Sequence, residues 1–153
     1  MGGAFMKNNK SGFTLIELLV VIAIIGLLST LSILALNTAR ARARDAKRIS
    51  DVKQIQTALE MYYNDTSDYP STASVTAGQS IASANGVFLR QIPSAPLPTD
   101  GANCGSNVTE YTYAYQAAST GGNASYTIRY CLGATVNAIT GDTMQTATPA
   151  GIN

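Results

Sequence analysis

Hydrophobic residues in the first half of the chain follow two different patterns. Residues 13–36 are apolar apart from a few serines and threonines and one charged residue, Glu17. About 24 residues of helix rise about 36 Å, enough to cross the hydrocarbon core of a bilayer. Soluble domains rarely contain such a run. Segment 13–36 therefore predicts a helix that spans a membrane or lies in the core of a helical bundle.

The second pattern occupies residues 37–64, where apolar residues recur at spacings of three and four. They are Ile49, Val52, Ile55, Leu59 and Tyr62. No proline or glycine interrupts the chain between Leu27 and Tyr63, so one helix from about Thr14 to Tyr63 is predicted. Its second half is amphipathic, with one apolar face for a head domain. The polar residues 64–68 end it, and Pro70 imposes an extended exit.

The hydrophobic period changes to two in the last third of the chain. Tyrosines alternate with small residues over 111–115, and Gly121-Gly122-Asn123 is a turn signal. Apolar residues alternate again over 126–132, so a β-hairpin is predicted. Gly141-Asp142 is a further turn signal, and residues 144–148 predict a third, short strand. Residues 71–86 are rich in Ser, Ala, Thr and Gly and predict a surface loop or a short, weak helix. The predicted fold class is α+β, with a small antiparallel sheet in the head, residues 65–153, packed on the amphipathic helix.

Glu17 needs a physical reason, because a carboxylate inside hydrocarbon costs about 2.5–3.5 kcal/mol. Thr14-Leu15-Ile16-Glu17 fits the capping-box pattern, with Thr14 as N-cap and Glu17 at the third helical position. Glu17 is therefore predicted to cap its own helix.

Composition favours a structural protein over an enzyme. The formal net charge is +1 and there is no histidine, so the commonest general base near neutral pH is missing. The carboxylates Asp65 and Asp68 suit the end of a helix better than catalysis. Asp100, Glu110 and Asp142 are conceivable calcium ligands, but no EF-hand loop is present and solvated carboxylates are the favoured interpretation. We expect neither a metal nor a cofactor.

Residues 11–21, SGFTLIELLVV, resemble the N-terminal signature of type IV pilins and type II secretion pseudopilins. The resemblance implies a leader, residues 1–12, that is cut after Gly12, with Met1 or Met6 as its start. It also implies N-methylation of Phe13, and pairing of Glu17 with the Phe13 amine of an adjacent subunit. A second segment, 61–70 (MYYNDTSDYP), is also similar to the family.

This resemblance implies partners and a location. The chain would wait in the membrane, among lipids, with its head outside the cytoplasm. A prepilin peptidase would process it, and inner-membrane assembly machinery would add it to other pilin subunits. The filament would be a type IV pilus on the cell surface. Alternatively, the chain would be a secretion pseudopilin in a periplasm-like space, or a minor pilin. An ordinary secretory signal, cut near Ala41, is a weaker alternative.

Gly26 lies where the helices of this family often unwind within the filament. Many members also have a proline eight residues later, where this chain has Leu34. Gly26 therefore has two open interpretations, local unwinding or close packing between helices.

Basic residues are more numerous after the apolar run than before it. Lys7 and Lys10 precede the run, and the bases that follow it are Arg40, Arg42, Arg44, Lys47 and Arg48. The positive-inside rule places the C-terminal side in the cytoplasm, whereas the more specific resemblance places it outside, and we follow the resemblance. Segment 40–48 predicts a solvated collar that the nearby Asp45 and Asp51 partly pair, or a surface that pairs with neighbouring subunits. Binding of DNA or anionic lipid is the alternative.

Cys104 and Cys131 are the two cysteines of the chain. Two cysteines alone are too few for a zinc site, and a disulfide is favoured after a membrane segment. A loop of about 28 residues closed in this way would stabilise the head by about 3.6 kcal/mol in the chain-entropy model. Two buried free thiols remain the alternative.

Overall fold

The computed structural model describes residues 12–98, 101, 104, 114–117, 125–136 and 138–152. The chain forms two compact units, residues 1–38 and 39–153. The helical elements are α1 (Leu15–Thr66) and a 3-10 turn (Thr72–Ser74). The strands are β1 (Ile81–Ala82), β2 (Val87–Leu89), β3 (Ala114–Ala117), β4 (Tyr126–Leu132), β5 (Thr143–Thr148) and β6 (Gly151–Ile152). This is the predicted α+β, pilin-like fold.

Helix α1 runs without interruption through both predicted patterns, over 52 residues. Its few hydroxyl groups in the apolar part bond to the helix itself. Ser29 Oγ donates to the Ile25 carbonyl at 2.7 Å, and Ser32 Oγ donates to the Leu28 carbonyl at 2.8 Å. These internal bonds let polar side chains occupy a segment suited to lipid, where no water is available to satisfy them.

The amphipathic stripe of α1 forms one side of the head's core, as predicted. Val52, Ile55 and Leu59 are almost fully buried, and Ile49 is buried as well. They belong to one hydrophobic cluster with the inward-facing side chains of β4, which are Tyr126, Ile128, Tyr130 and Leu132. The apolar face of α1, with its helical period of 3.6, and the apolar face of β4, with its strand period of two, therefore pack in the same core.

The end of α1 is fixed by a backbone cap and by aromatic packing. Ser67 has a φ of 58°, and its N–H donates to the Tyr63 carbonyl at 2.7 Å, as in a left-handed helix cap. Tyr69 then folds back, stacks on Tyr63 with ring centroids 4.7 Å apart, and meets Tyr126 edge-on at 4.9 Å. The Tyr-Pro exit predicted from sequence is thus part of the core.

Four antiparallel strands form the main sheet, in the order β3-β4-β5-β6. Ala114 pairs with Arg129 and Ala117 with Tyr126, which gives the predicted hairpin for the described residues. Residues 111–113 and the Gly121–Asn123 turn lie outside the described residues. The third predicted strand is present as β5, and the short β6, which was not predicted, extends the sheet.

The prediction for residues 71–86 was wrong in part. The 3-10 turn is a short helical piece, but Ile81 and Ala82 form β1, which pairs with β2 in a separate two-stranded sheet. Ile81 is buried at 2% exposure. A strand of two residues gives too short an alternation to be recognised in a sequence rich in small residues.

The turn between β4 and β5 requires a glycine. A Cβ atom placed on Gly141 would collide with the backbone of Ala134 and Thr135. Asp142 follows with a φ of 58° and donates its N–H to the Leu132 carbonyl at 2.7 Å. The predicted Gly-Asp turn is confirmed, and it holds the 133–142 segment close to the end of β4.

Candidate functional site: the N-terminal segment and the basic collar

The start of α1 is a capping box. The Thr14 N–H donates to Glu17 Oε2 at 2.8 Å, and Thr14 Oγ1 donates to the same oxygen at 2.7 Å. The Glu17 N–H returns a bond of 3.3 Å to Thr14 Oγ1. The carboxylate therefore has local partners at a helix N-terminus, where negative charge is favoured.

The apolar half of α1 exposes all its large hydrophobic side chains. Between residues 13 and 36 the least exposed of them, Val21, is still 47% exposed. By length and composition this part of the helix could cross a membrane. A continuous apolar surface of this extent marks a site of contact with lipid or with other proteins.

Gly12, Phe13 and Gly26 have no packing role within the described residues. Phe13 is 88% exposed. A Cβ atom on Gly12 or Gly26 would meet nothing within 4 Å, and α1 is helical through Gly26. Their predicted roles in cleavage, methylation and assembly therefore depend on other proteins and stay predictions.

Arg48 is not part of a solvated collar, and its interpretation as a solvated or DNA-facing base was wrong. It is 3% exposed and forms an ion pair with Asp45, which is fully buried. Arg48 Nη2 also donates to the carbonyls of Pro96, at 2.8 Å, and Pro98, at 3.1 Å. The buried guanidinium thus joins α1 to the proline-rich segment of the head.

Asp45 connects α1 to the turn after β4. The Gly133 N–H lies 3.1 Å from each carboxylate oxygen, and the Ala134 N–H donates to Oδ2 at 2.8 Å. From its place in the sequence, Asp45 was predicted only to pair partly with the nearby bases. The available signal was its position three residues before Arg48, which suits a pair on one helix face, but burial cannot be deduced from that spacing.

Asp65 has a structural role in this fold. Its carboxylate accepts hydrogen bonds from Ser83 Oγ and from Asn85 Nδ2, the latter at 2.8 Å. These bonds, the one from Ser83 first, lower the pKa of Asp65 below its ordinary value. Asp65 therefore ties the end of α1 to the β1–β2 turn.

The calcium hypothesis gains no support from the residues that the structure describes. Asp142 lies in the turn before β5, whereas Asp100 and Glu110 lie outside the described residues. Within the described part of the chain, no three acidic, cysteine or histidine side chains form a group that could hold a metal ion.

Cys104 and Cys131 are joined by a disulfide, with their Cα atoms 6.0 Å apart. Both residues are buried at 3% exposure. Gly101, with a φ of 107°, lies against the bridge, since a Cβ atom there would be 3.0 Å from Cys104 Sγ. The disulfide that the sequence favoured over two free thiols is therefore present.

Comparison with known proteins identifies the same N-terminal segment. Residues 7–33 match the family model described as the prokaryotic N-terminal methylation motif. The type II secretion system core protein G of Klebsiella pneumoniae is 36% identical over 102 residues, which are 61% of this chain and 73% of that protein. The Vibrio cholerae serotype O1 protein of the same name is 31% identical over 101 residues, 61% of this chain and 69% of that protein.

Other relatives match over a shorter stretch. The core protein G of Aeromonas hydrophila is 41% identical over 66 residues, which are 43% of this chain and 46% of that protein. The chain thus spans about half the length of several curated relatives that it matches. No solved structure matches the chain significantly. The longer alignments and the methylation motif show that this chain belongs to the pilin and pseudopilin family, which includes the type II secretion system core protein G proteins.

Proposed function

We propose that this chain is a secretion-type pseudopilin, a structural subunit that assembles into a filament through its hydrophobic N-terminal helix. The 73% coverage of the Klebsiella pneumoniae core protein G carries this choice over the type IV pilus that the sequence alone favoured. A prepilin peptidase removes residues 1–12 and methylates Phe13. The protein itself catalyses no reaction.

The exposed surface of residues 13–36 supports this assembly mechanism. Within the described residues, none of its large hydrophobic side chains is covered by the rest of the chain. Lipid covers this surface before assembly, and the equivalent helices of other subunits cover it in the filament. Removal of this apolar area from water keeps the subunit out of solution in both states.

The disulfide supports a head outside the cytoplasm. Disulfides persist in oxidising compartments and are rare in the cytosol, and Cys104 and Cys131 are joined. Without the buried Arg48, four bases still follow the apolar run and two precede it, so the positive-inside count keeps its direction. The disulfide is therefore the observation that favours the topology implied by the resemblance.

In the filament, Glu17 is proposed to form an ion pair with the positive N-terminal amine of Phe13 in an adjacent subunit. A carboxylate that leaves the membrane surface for an apolar core requires a partner charge. In the single chain its partner is Thr14. Cleavage after Gly12 would create a new N-terminal amine on Phe13, which directly precedes the capping residue Thr14 in the sequence.

Three variants separate the charge of Glu17 from its capping role. Glu17→Gln keeps an acceptor for Thr14 but removes the charge, Thr14→Ala removes the cap's hydroxyl but keeps the charge, and Glu17→Ala removes both. We expect all three to be cleaved, and we expect both Glu17 variants to lose at least tenfold in filament yield while Thr14→Ala stays within about twofold of wild type. Cleavage is measured by intact mass, and assembly by the amount of chain in sedimented filaments.

The opposite ranking would contradict charge pairing. If Glu17→Gln assembles normally while Thr14→Ala fails, Glu17 serves only as a helix cap. Normal filaments from Glu17→Ala would exclude both roles in assembly.

A further inference from the structure

The surface of α1 just beyond its apolar half has an unbalanced positive charge. Arg40, Arg42 and Lys47 are exposed. The nearest acids on the same helix are withdrawn from the surface, since Asp45 is 0% and Asp51 is 8% exposed. The sequence shows mixed charge in this stretch, but the folded chain presents only its bases to solvent. We call Arg40, Arg42 and Lys47 the basic collar.

Among the residues that the structure describes, the surface beside Lys47 carries no carboxylate either. Lys47 lines an open groove of about 490 Å³ with loop residues of the head. The other lining residues are Ala77, Gly78, Gln91, Ile92, Pro93 and Ser94. All of these are uncharged, so none of these groove residues repels an anion that approaches the collar.

The position of the collar along the chain suggests its ligand. Arg40 and Arg42 come four and six residues after Leu36, the last residue of the apolar segment, which is fewer than two helical turns. Lys47 follows one and a half turns later. Long basic side chains extend their charged ends toward a membrane interface while their stems remain along the helix. An inserted helix would therefore hold these bases beside lipid headgroups.

We propose that the basic collar binds the anionic headgroups of phospholipids in the leaflet from which α1 emerges. The proposal rests on the membrane insertion of the proposed function and adds a lipid specificity to it. Each base close to a charged membrane surface strengthens binding about fivefold. The contacts hold the head against the leaflet before assembly, and extraction of the subunit breaks them.

Nucleic acid is a poorer match to the collar. Proteins that bind DNA through its backbone commonly neutralise about six to ten phosphates. The collar has three exposed bases, and Arg48, which belongs to the same basic segment, is buried in its ion pair. Headgroups, by contrast, surround an inserted helix at high local concentration, so three bases suffice for selectivity.

The test uses the full chain in lipid nanodiscs of phosphatidylcholine with a fifth of phosphatidylglycerol. Electron spin resonance of spin-labelled lipids gives the fraction of each lipid immobilised at the protein. We expect wild type to prefer phosphatidylglycerol severalfold, and we expect high salt to reduce this preference. The Arg40→Gln/Arg42→Gln/Lys47→Gln variant should lose most of it. Lys53→Gln, which removes an exposed charge farther along α1, is the matched control and should retain it.

Several results would overturn the proposal. The collar is not a lipid site if wild type shows no preference, or if the triple variant and Lys53→Gln behave alike. Retention of duplex DNA on pure phosphatidylcholine discs by wild type, lost in the triple variant, would assign the collar to nucleic acid instead. Absence of any immobilised lipid would contradict membrane insertion, and with it the proposed function as well as the collar's role.

Discussion

At the scale of single residues, charged and polar side chains of this chain differ in whether the fold itself satisfies them. Asp45 forms an ion pair with Arg48 on the same helix and accepts backbone hydrogen bonds from the head. Within the described residues, Glu17 accepts only local bonds from Thr14 at an exposed helix start. Asp45 is therefore a structural residue of the head, whereas Glu17 remains available for an interaction with another molecule.

Tyr126 and Tyr130 form a natural pair for testing buried hydroxyl groups. Both are 1% exposed on the same face of β4. Tyr126 Oη donates to Glu60 Oε1 at 3.3 Å, whereas Tyr130 Oη has no hydrogen-bond partner among the described residues. Burial raises the pKa of Tyr130 to about 12. The two hydroxyls thus carry opposite energetic consequences in similar surroundings.

We predict that Tyr126→Phe lowers the free energy of unfolding by about 1 kcal/mol, because a hydrogen bond to a carboxylate is lost. Tyr130→Phe should leave it unchanged or raise it by up to about 1 kcal/mol, because an unsatisfied buried hydroxyl is removed. Urea unfolding in detergent, followed by near-ultraviolet circular dichroism of the tyrosines, measures both. A Tyr130→Phe loss larger than that of Tyr126→Phe would show that the Tyr130 hydroxyl has a partner in the folded head.

At the scale of secondary-structure elements, the contacts that attach the head to α1 include an apolar stripe and two polar groups. The apolar stripe packs on β4. The Asp45–Arg48 pair holds the 133–134 turn and the Pro96–Pro98 segment. Near the end of the helix, Asp65 holds the β1–β2 turn. These two polar groups lie on either side of the apolar stripe along α1, and they fix which parts of the head lie at each of its ends. Within the stripe, Gln56 Nε2 also donates to the Thr148 carbonyl at 2.8 Å.

Loss of Asp45 should weaken this attachment more than loss of an exposed charge. Asp45→Ala leaves Arg48 buried without its carboxylate and leaves the Gly133 and Ala134 N–H groups unsatisfied. Removal of one partner of a buried pair costs about 3–5 kcal/mol, and we expect a destabilisation in that range by the same urea assay. Lys53→Ala on the exposed face should change stability by less than about 0.5 kcal/mol. A similar small effect of both variants would mean that water reaches the Asp45–Arg48 pair.

Much of this architecture follows from local sequence patterns, and the rest depends on tertiary contacts. Spacings of three and four predicted the buried face of α1, and strict alternation predicted the buried face of β4. The capping box at Thr14 and Glu17 could be predicted because its pattern lies within four consecutive residues. The burial of Arg48 could not be predicted, because its partners at Pro96 and Pro98 are about 50 residues away and offer only backbone carbonyls. Strand β1 was missed because two residues carry too little periodicity.

At the scale of the whole molecule, the two compact units of the chain present different surfaces. Within the described residues, unit 39–153 contains a hydrophobic core and a disulfide. Residues 13–36 present an apolar surface that the described residues do not cover. Such a division suits a subunit that passes from a membrane into a filament, since its head stays folded while the surroundings of its helix change.

The intact mass of the protein, purified from filament or envelope fractions of cells that contain a prepilin peptidase, tests this account most directly. We predict the mass of residues 13–153 with one added methyl group and two hydrogens fewer for the disulfide. Gly12→Leu is the matched control. It fits the fold, because a Cβ atom there meets no described residue within 4 Å, and it should keep the leader. A wild-type mass that retains residues 1–12, or a product cut near Ala41, would contradict the assignment of this chain as a filament subunit.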